Sequence, residues 1–168
     1  MTVQTAETRT RPVPLVAKEL LESSGFLLAR LGLGFKARAL TKLDQAGFEP
    51  FGYGILAIVN EGALQTQATI AEALMLDPSR LVALLDSLEE DELIVRKRDP
   101  EDRRRHVVSI TAEGKRKLAR LRTIVKDLED EFLAPLDAEE RKALHGLLLR
   151  LAAENDPRCA FVPATPTG

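Results

Sequence analysis

Between Leu93 and Thr111 the chain abandons the helical spacing that governs the rest of it. Residues 94–97 and 106–110 are short segments, the second rich in β-branched side chains, and they suit a pleated, half-buried surface better than a helix. Residues 98–105 between them are polar and carry Asp99-Pro100 and Arg103-Arg104-Arg105, enough chain for an extended hairpin loop. On both sides apolar residues return every three or four positions, the period of a helix with one buried face. A lone basic hairpin inside a helical chain leaves few architectures. The expectation is a mainly α fold with a small β-hairpin wing.

The helices are punctuated by recognisable starts and stops. Residues 15–46 set Leu20, Leu27, Leu31, Phe35 and Leu43 at helical spacing and end at Gly47, with Gly25, Gly32 and Gly34 weakening the run. Pro50 opens a second helix through Ile55, Leu56 and Val59, halted at Asn60-Glu61-Gly62. Thr66 serves as N-cap for a short helix over 67–74. Asp77-Pro78-Ser79 then gives an acidic cap and a proline at the first helical position, starting a helix over 79–91 that buries Leu81, Leu84, Leu85 and Leu88. Thr111 caps a long helix in which Leu118, Leu121, Val125, Leu128 and Phe132 step by three and four. Such a seam favours a partner helix, here one from a second chain. Leu133-Ala134-Pro135 breaks it, and Asp137 with Glu140 forms a capping box for a last helix bearing Leu144, Leu147, Leu148 and Leu151.

Organisation follows from these boundaries. Residues 1–14 read as a flexible tail, 15–47 and 111–154 as helical regions, and 48–110 between them as a winged helix-turn-helix. Residues 155–168, rich in proline and small side chains, read as a second flexible tail. The first fourteen residues hold no apolar core of a targeting signal. No apolar run approaches the ~20 residues of a membrane span. A cytoplasmic protein without a membrane partner is expected.

Whole-chain charge is uninformative here. The 24 basic and 26 acidic residues sum to −2, which excludes a uniformly basic coat for nucleic acid. By position the balance is different. Residues 94–122 carry eleven bases against four acids, a surplus of seven, whereas 84–93 and 127–140 carry five and seven acids and no base. A basic block centred on the wing is the electrostatic footprint of duplex binding. Six phenylalanines, one tyrosine and no tryptophan offer little for stacking single strands.

The short helix 67–74 props the next at a steep angle, so that its N-terminal side chains reach a major groove. The loop arginines reach phosphates or a narrow minor groove. At these residues the sequence resembles the MarR-type transcriptional regulators. The resemblance is carried by Ala71-Glu72-Ala73-Leu74, Asp77-Pro78-Ser79 and Leu84-Leu85-Asp86-Ser87-Leu88-Glu89. It is carried further by Arg98-Asp99-Pro100-Glu101-Asp102-Arg103-Arg104 and by Val107-Val108-Ser109-Ile110-Thr111-Ala112-Glu113-Gly114. It spans about residues 15–154 in helix order as well as motif.

The resemblance implies a homodimer, with residues 15–47 and 111–154 as the helical dimerisation region, that binds a pseudo-palindromic DNA duplex. By the same carry-over Ser79, Arg80 and Ala83 face the major groove, Arg104 is the wing-tip arginine between Arg103 and Arg105, and Asp102 holds or orients it. Lys97 belongs to the same basic wing, and Thr66 and Gln67 at a helix N-terminus are phosphate candidates. The chain departs from the family pattern in three places. Val82, Ala83 and Ser87 stand where polar or basic residues are common, Met75 stands where the turn has a glycine, and Asp91-Glu92 replace an Arg-Gly pair. Arg80 is the one base between Asp77 and Leu93. Base reading thus rests on few side chains, which leaves open an architectural DNA binder with weak sequence preference, or a ligand-binding dimer without DNA function.

The family also suggests a small-molecule effector, often an aromatic or phenolic acid. Phe26, Arg30, Phe51 and Tyr53 are the ligand candidates, Arg30 for a carboxylate and Tyr53 for a hydroxyl. The alternative places both at the surface or a dimer contact. Cys159 is the single cysteine and reads as a plain free thiol. His106 begins a wing strand, as a structural residue or a phosphate contact, and His145 is expected to pack in the last helix. No nucleophile triad, carboxylate pair, phosphate-cradling glycine loop or metal set is present in the sequence. Neither an enzyme nor a cofactor is expected.

Overall fold

Local capping chemistry sets the element boundaries. The computed structural model describes residues 15–62, 65–98 and 106–159, in two units comprising residues 1–37 and 38–168. The first unit contains α1 (Lys18–Leu21) and the start of α2 (Ser24–Gln45). The single helix expected over 15–46 is interrupted at Glu22-Ser23. Ser23 is the reason: its Oγ accepts the Phe26 N–H at 3.2 Å, satisfying a donor that a new helix start leaves open.

The second unit continues with α3 (Pro50–Asn60), β1 (Gln65–Thr66), α4 (Gln67–Leu74) and α5 (Pro78–Glu90). After them come β2 (Ile94–Arg98), β3 (His106–Ile110), α6 (Ala112–Phe132), α7 (Ala138–Asn155) and a 3-10 turn, Pro157–Cys159. Thr66, Asp77, Thr111 and Asp137 each cap the following helix with a side-chain oxygen, as their residue types dictate. The sheet runs β1-β3-β2, antiparallel throughout. Ile94 faces Ile110 and Arg98 faces His106 across the wing, and Thr66 faces Val107. Strand β1 is absent from the sequence expectation. Two residues have no period of their own, and only the distant β3 edge defines them as a strand.

Three helices end alike. After α2, α4 and α5 a residue in the left-handed region follows: Gly47 (φ 67°), Met75 (φ 51°) and Glu92 (φ 58°). In each case the next amide reaches back five residues, Phe48 to Leu43, Leu76 to Ala71 and Leu93 to Leu88. This is the Schellman geometry, with an apolar residue tucked under the helix end. Glycine adopts it freely, and methionine and glutamate do not.

Packing centres on the helix-turn-helix. Ile55, Leu56, Ile70, Leu81, Leu85, Ile94, Leu118 and Leu121 are fully buried in one cluster. Each such side chain contributes roughly 1.5–3 kcal/mol by leaving water. Leu118 and Leu121 thus pack within the chain, and Leu128 is also buried to 1% exposure. The expected inter-chain seam on α6 is therefore corrected: spacing shows that a face is covered, not by what. The unburied leucines lie elsewhere, with Leu147, Leu149 and Leu151 about half exposed on α7 and Leu28, Leu31 and Leu33 exposed on α2. His145 is also exposed rather than packed.

Within the segment read as a C-terminal tail, Arg158 forms a bidentate pair with Asp156 through Nε at 2.7 Å and Nη2 at 2.8 Å. Its Nη1 donates to the Glu72 carbonyl at the end of α4, 3.3 Å away. Among the described residues no helix is long and apolar enough to cross a membrane.

Candidate nucleic-acid interface

Helices α4 and α5 meet through the short turn at 75–77, and the caps at their starts fix how each is presented. Thr66 and Thr69 exchange hydrogen bonds: Thr66 Oγ1 accepts the Thr69 N–H at 3.2 Å, and Thr69 Oγ1 accepts the Thr66 N–H at 3.0 Å. Thr66 is buried and its hydroxyl is committed to this cap. Gln67, half-buried, lines a groove of about 620 Å³ between α4 and α5 together with Met75, Pro78 and Val82.

The outer face of α5 is laid out by its helical spacing. Leu81, Leu85 and Leu88 point inward, which leaves Ser79, Arg80, Val82, Ala83, Asp86 and Ser87 exposed. Asp77 Oδ1 accepts the Ser79 N–H at 2.9 Å and also the Ser79 hydroxyl. These bonds, the hydroxyl first, hold the Asp77 carboxyl below its ordinary pKa. The carboxylate is thereby kept ionised at the positive end of the helix, where a negative charge is favoured.

Arg80 is not a loose side chain. Its guanidinium sits over the Phe51 ring, 4.3 Å from the centroid, and its Nη2 lies 4.0 Å from Glu49 Oε1. The other Glu49 oxygen accepts the Gly52 N–H at 3.0 Å and caps α3. One expected base reader and one expected ligand residue, Arg80 and Phe51, are thus neighbours.

In the wing, alternation along β2 divides the cations between two tasks. Ile94 is buried, and Arg96, two residues on, turns to the same side. There Arg96 contacts Glu89 and Asp86 of α5 through Nη2, both at 2.6 Å, and donates from its backbone N and Nε to Glu89 at 2.9 and 2.8 Å. The Arg96 side-chain bonds hold the Glu89 carboxyl below its usual pKa, and Glu89 raises that of Arg96. Arg96 therefore fastens the wing to α5. This role was missed from sequence, although the Ile94–Arg96 register and the three-residue spacing of Asp86 and Glu89 are its signals. Lys97 and Arg98 are exposed on β2, with His106 exposed opposite on β3 and Lys115 and Arg116 exposed at the start of α6. Asp102, Arg103, Arg104 and Arg105 lie outside the described residues.

The ligand candidates divide between the two units. Phe26, half-buried, and Arg30, exposed, stand on α2 in the N-terminal unit. Phe51 and Tyr53, both half-buried, stand on α3, with Tyr53 packed against the core. Cys159 is free and exposed.

This arrangement is that of a known group of proteins. A model of the MarR family matches residues 53–105, from within α3 to just before β3. The proposed transcriptional regulatory protein for the hcr operon of Thauera aromatica is 35% identical over 160 residues, covering 92% of this chain and 96% of that protein. The transcriptional repressor CouR, solved bound to a 23-mer DNA duplex, superposes with a TM-score of 0.71 at 31% identity, over 83% of this chain and 99% of that one. CouR from Rhodococcus jostii RHA1 bound to p-coumaroyl-CoA gives 0.69 at 26% identity, over 87% and 99%. The recognition-helix pair, the wing and the likeness along nearly the whole chain lead to one conclusion: the chain belongs to the MarR family of winged-helix transcriptional regulators.

Proposed function

We propose that the chain acts as a homodimeric, sequence-specific repressor, binding a pseudo-palindromic operator duplex in the cytoplasm and blocking transcription by occupying it. The observation that carries this reading is the outward face of α5, where Ser79, Arg80, Val82 and Ala83 are exposed at the N-terminal end of the helix. A helix-turn-helix meets base edges there. Lys97 and, near the start of α4, Gln67 serve phosphates, while Thr66 holds that helix start through its cap. Arg104 enters the minor groove from the wing tip, oriented by Asp102 and flanked by Arg103 and Arg105. Residues 15–47 and 111–154 form the dimer, whose half-sites stand about one helical turn, ~34 Å, apart.

An aromatic or phenolic effector fits the same reading. It is supported by the binding of p-coumaroyl-CoA to the related CouR and by the residue chemistry of Phe26, Arg30, Phe51 and Tyr53. A ligand that favours a different spacing of the two recognition helices releases DNA only to the extent that it binds the two states differently.

Selection of bound duplexes from a random pool, followed by titration over a salt series, tests the proposal. A true operator binds ~10³-fold or more above scrambled duplex, and p-coumaroyl-CoA or simple phenolic acids then weaken that binding. Equal affinity for selected and scrambled duplexes overturns sequence-specific control. That result favours an architectural binder, the second reading, which the apolar Val82 and Ala83 on α5 support. No duplex binding even at low salt leaves a ligand-binding dimer.

A further inference from the structure

Arg80 is the one base between Asp77 and Leu93, yet it is placed by a different helix from its own. Its guanidinium carbon Cζ lies over the Phe51 ring, 4.3 Å from the ring centre. Glu49 faces its Nη2 at 4.0 Å while capping α3 through its other oxygen. Both restraints come from the first residues of α3 and its cap, at the edge of a depression of about 380 Å³ that Leu40, Thr41, Asp44 and Pro50 complete. The side chain nevertheless remains 56% exposed.

Stacking and reading use different parts of an arginine. In a stacked pair the ring occupies one face of the planar guanidinium, whereas the N–H donors lie in its plane and point outward along its edge. The edge is what pairs bidentately with guanine O6 and N7 in a major groove. A long flexible side chain otherwise loses rotamer freedom when it docks, and a stacked one has already lost much of it.

On the reading of Arg80 as a groove contact, we propose that Phe51 is its positioning residue, an aromatic shelf on α3 that sets base discrimination made from α5. Phe51 touches no base in this arrangement and acts through Arg80 alone. The signature is specificity without affinity: the ring adds no cation and releases no counterion, so it leaves phosphate contacts unchanged.

The test uses the full chain, the duplex that wild-type protein selects from a random pool, the single-base-pair variants of that duplex, and a scrambled control. Phe51→Leu is expected to lower discrimination at one base-pair position per half-site by roughly threefold to tenfold, in keeping with an exposed to partly desolvated cation–π contact. Scrambled-duplex affinity and the salt slope stay at wild-type values. Phe51→Tyr keeps the ring and keeps the discrimination. Arg80→Ala flattens preference at the same position, and adding Phe51→Leu to it changes nothing further.

Other outcomes overturn the inference in separable ways. If Arg80→Ala flattens one position but Phe51→Leu leaves it intact, Arg80 reads without its shelf. If Phe51→Leu still weakens binding when Arg80 is already alanine, the ring acts through the fold rather than through Arg80. If Arg80→Ala leaves every position discriminated as before, Arg80 is no reader, and its groove-contact assignment falls with the shelf.

Discussion

Glu89 holds Arg96 at both its backbone and its side chain: Oε1 accepts the Arg96 N–H at 2.9 Å and Oε2 accepts Nε–H at 2.8 Å. The C-terminal half of α5 and the first wing strand are thereby joined through one carboxylate. The sign of its pH dependence follows from the direction of its shift. Arg96 keeps the Glu89 pKa below the ordinary value, so the contribution is fully present above the unfolded carboxylate value, about 4.3. It is lost as pH falls through the lower folded value. Glu89→Gln should lower stability by about 0.5–1 kcal/mol near pH 7, the range for a partly exposed pair. Urea midpoints at pH 7, 5 and 3 check this, the gap from wild type closing toward the acid end. A gap that stays constant to pH 3 refutes the charge-based account.

Gly114 answers a different constraint, close approach. An ideal Cβ there would stand 2.1 Å from the Leu93 carbonyl oxygen and 2.8 Å from Ile110 Cγ1. The same carbonyl accepts the Thr111 N–H at 3.0 Å, so the start of α6 is clamped against the start of the wing. Alanine normally favours a helix over glycine by about 1 kcal/mol. Here the overlap outweighs that preference, and Gly114→Ala should destabilise the fold by roughly 1–3 kcal/mol. A denaturation midpoint equal to or above wild type would show that α6 is free to shift.

The left-handed residues give an opposite prediction. A non-glycine residue in this region carries a strain of about 1–2 kcal/mol, partly offset because glycine loses more freedom on folding. Met75→Gly and Glu92→Gly should each raise stability by roughly 0.5–1 kcal/mol, and the two gains should add because the sites end different helices. Gly47→Ala should do the reverse. Among the described residues, no atom beyond its chain neighbours lies within 4 Å of a Cβ at Gly47, so its loss is purely a backbone effect. Unchanged midpoints for both glycine variants would mean that the helix ends relax without strain.

These sites mark where the sequence is readable and where it is not. Thr66, Asp77, Thr111 and Asp137 are legible caps because the chemistry is local: a side-chain oxygen and an amide two or three residues away. The wing strands are legible because β-branched alternation interrupts a helical period. Met75 and Glu92 hide their turns because no glycine marks them, and the family departures noted there become informative only with φ in hand. Arg96 counts as one more cation of a basic block until β2 turns it toward Glu89. The α6 leucines carry the correct period, but a period names no partner. Phe51 and Arg80 are 29 positions apart, and only the packing of α3 beside α5 makes them neighbours.

Lys97 and Arg96, adjacent in sequence, should separate in solution. Lys97 is exposed on β2, whereas Arg96 is engaged by Glu89 and Asp86. Lys97→Ala should weaken selected and scrambled duplexes by the same factor and lower the salt slope by ~0.9, as loss of one phosphate contact requires. Arg96→Ala should reduce the unfolding midpoint and leave that slope unchanged. Slopes measured between 50 and 200 mM salt decide the matter. A smaller slope for the Arg96 variant would place that residue on DNA after all.

Dimerisation is tested best away from the α6 seam. Leu128 is buried within the chain, so Leu128→Asp should unfold the protomer, and its loss of assembly would say nothing about an interface. On α7, Leu147 and Leu151 are each 52% exposed. An aspartate at either site meets water in an isolated protomer but a desolvated apolar contact in a dimer, where an unpaired charge is strongly unfavourable. The variants should therefore sediment as folded monomers with native far-ultraviolet dichroism, while wild type sediments as a dimer. They should also lose operator affinity steeply, because two linked half-site contacts become independent ones. If Leu147→Asp and Leu151→Asp remain dimeric at micromolar concentration, α7 is not the face that joins the two chains.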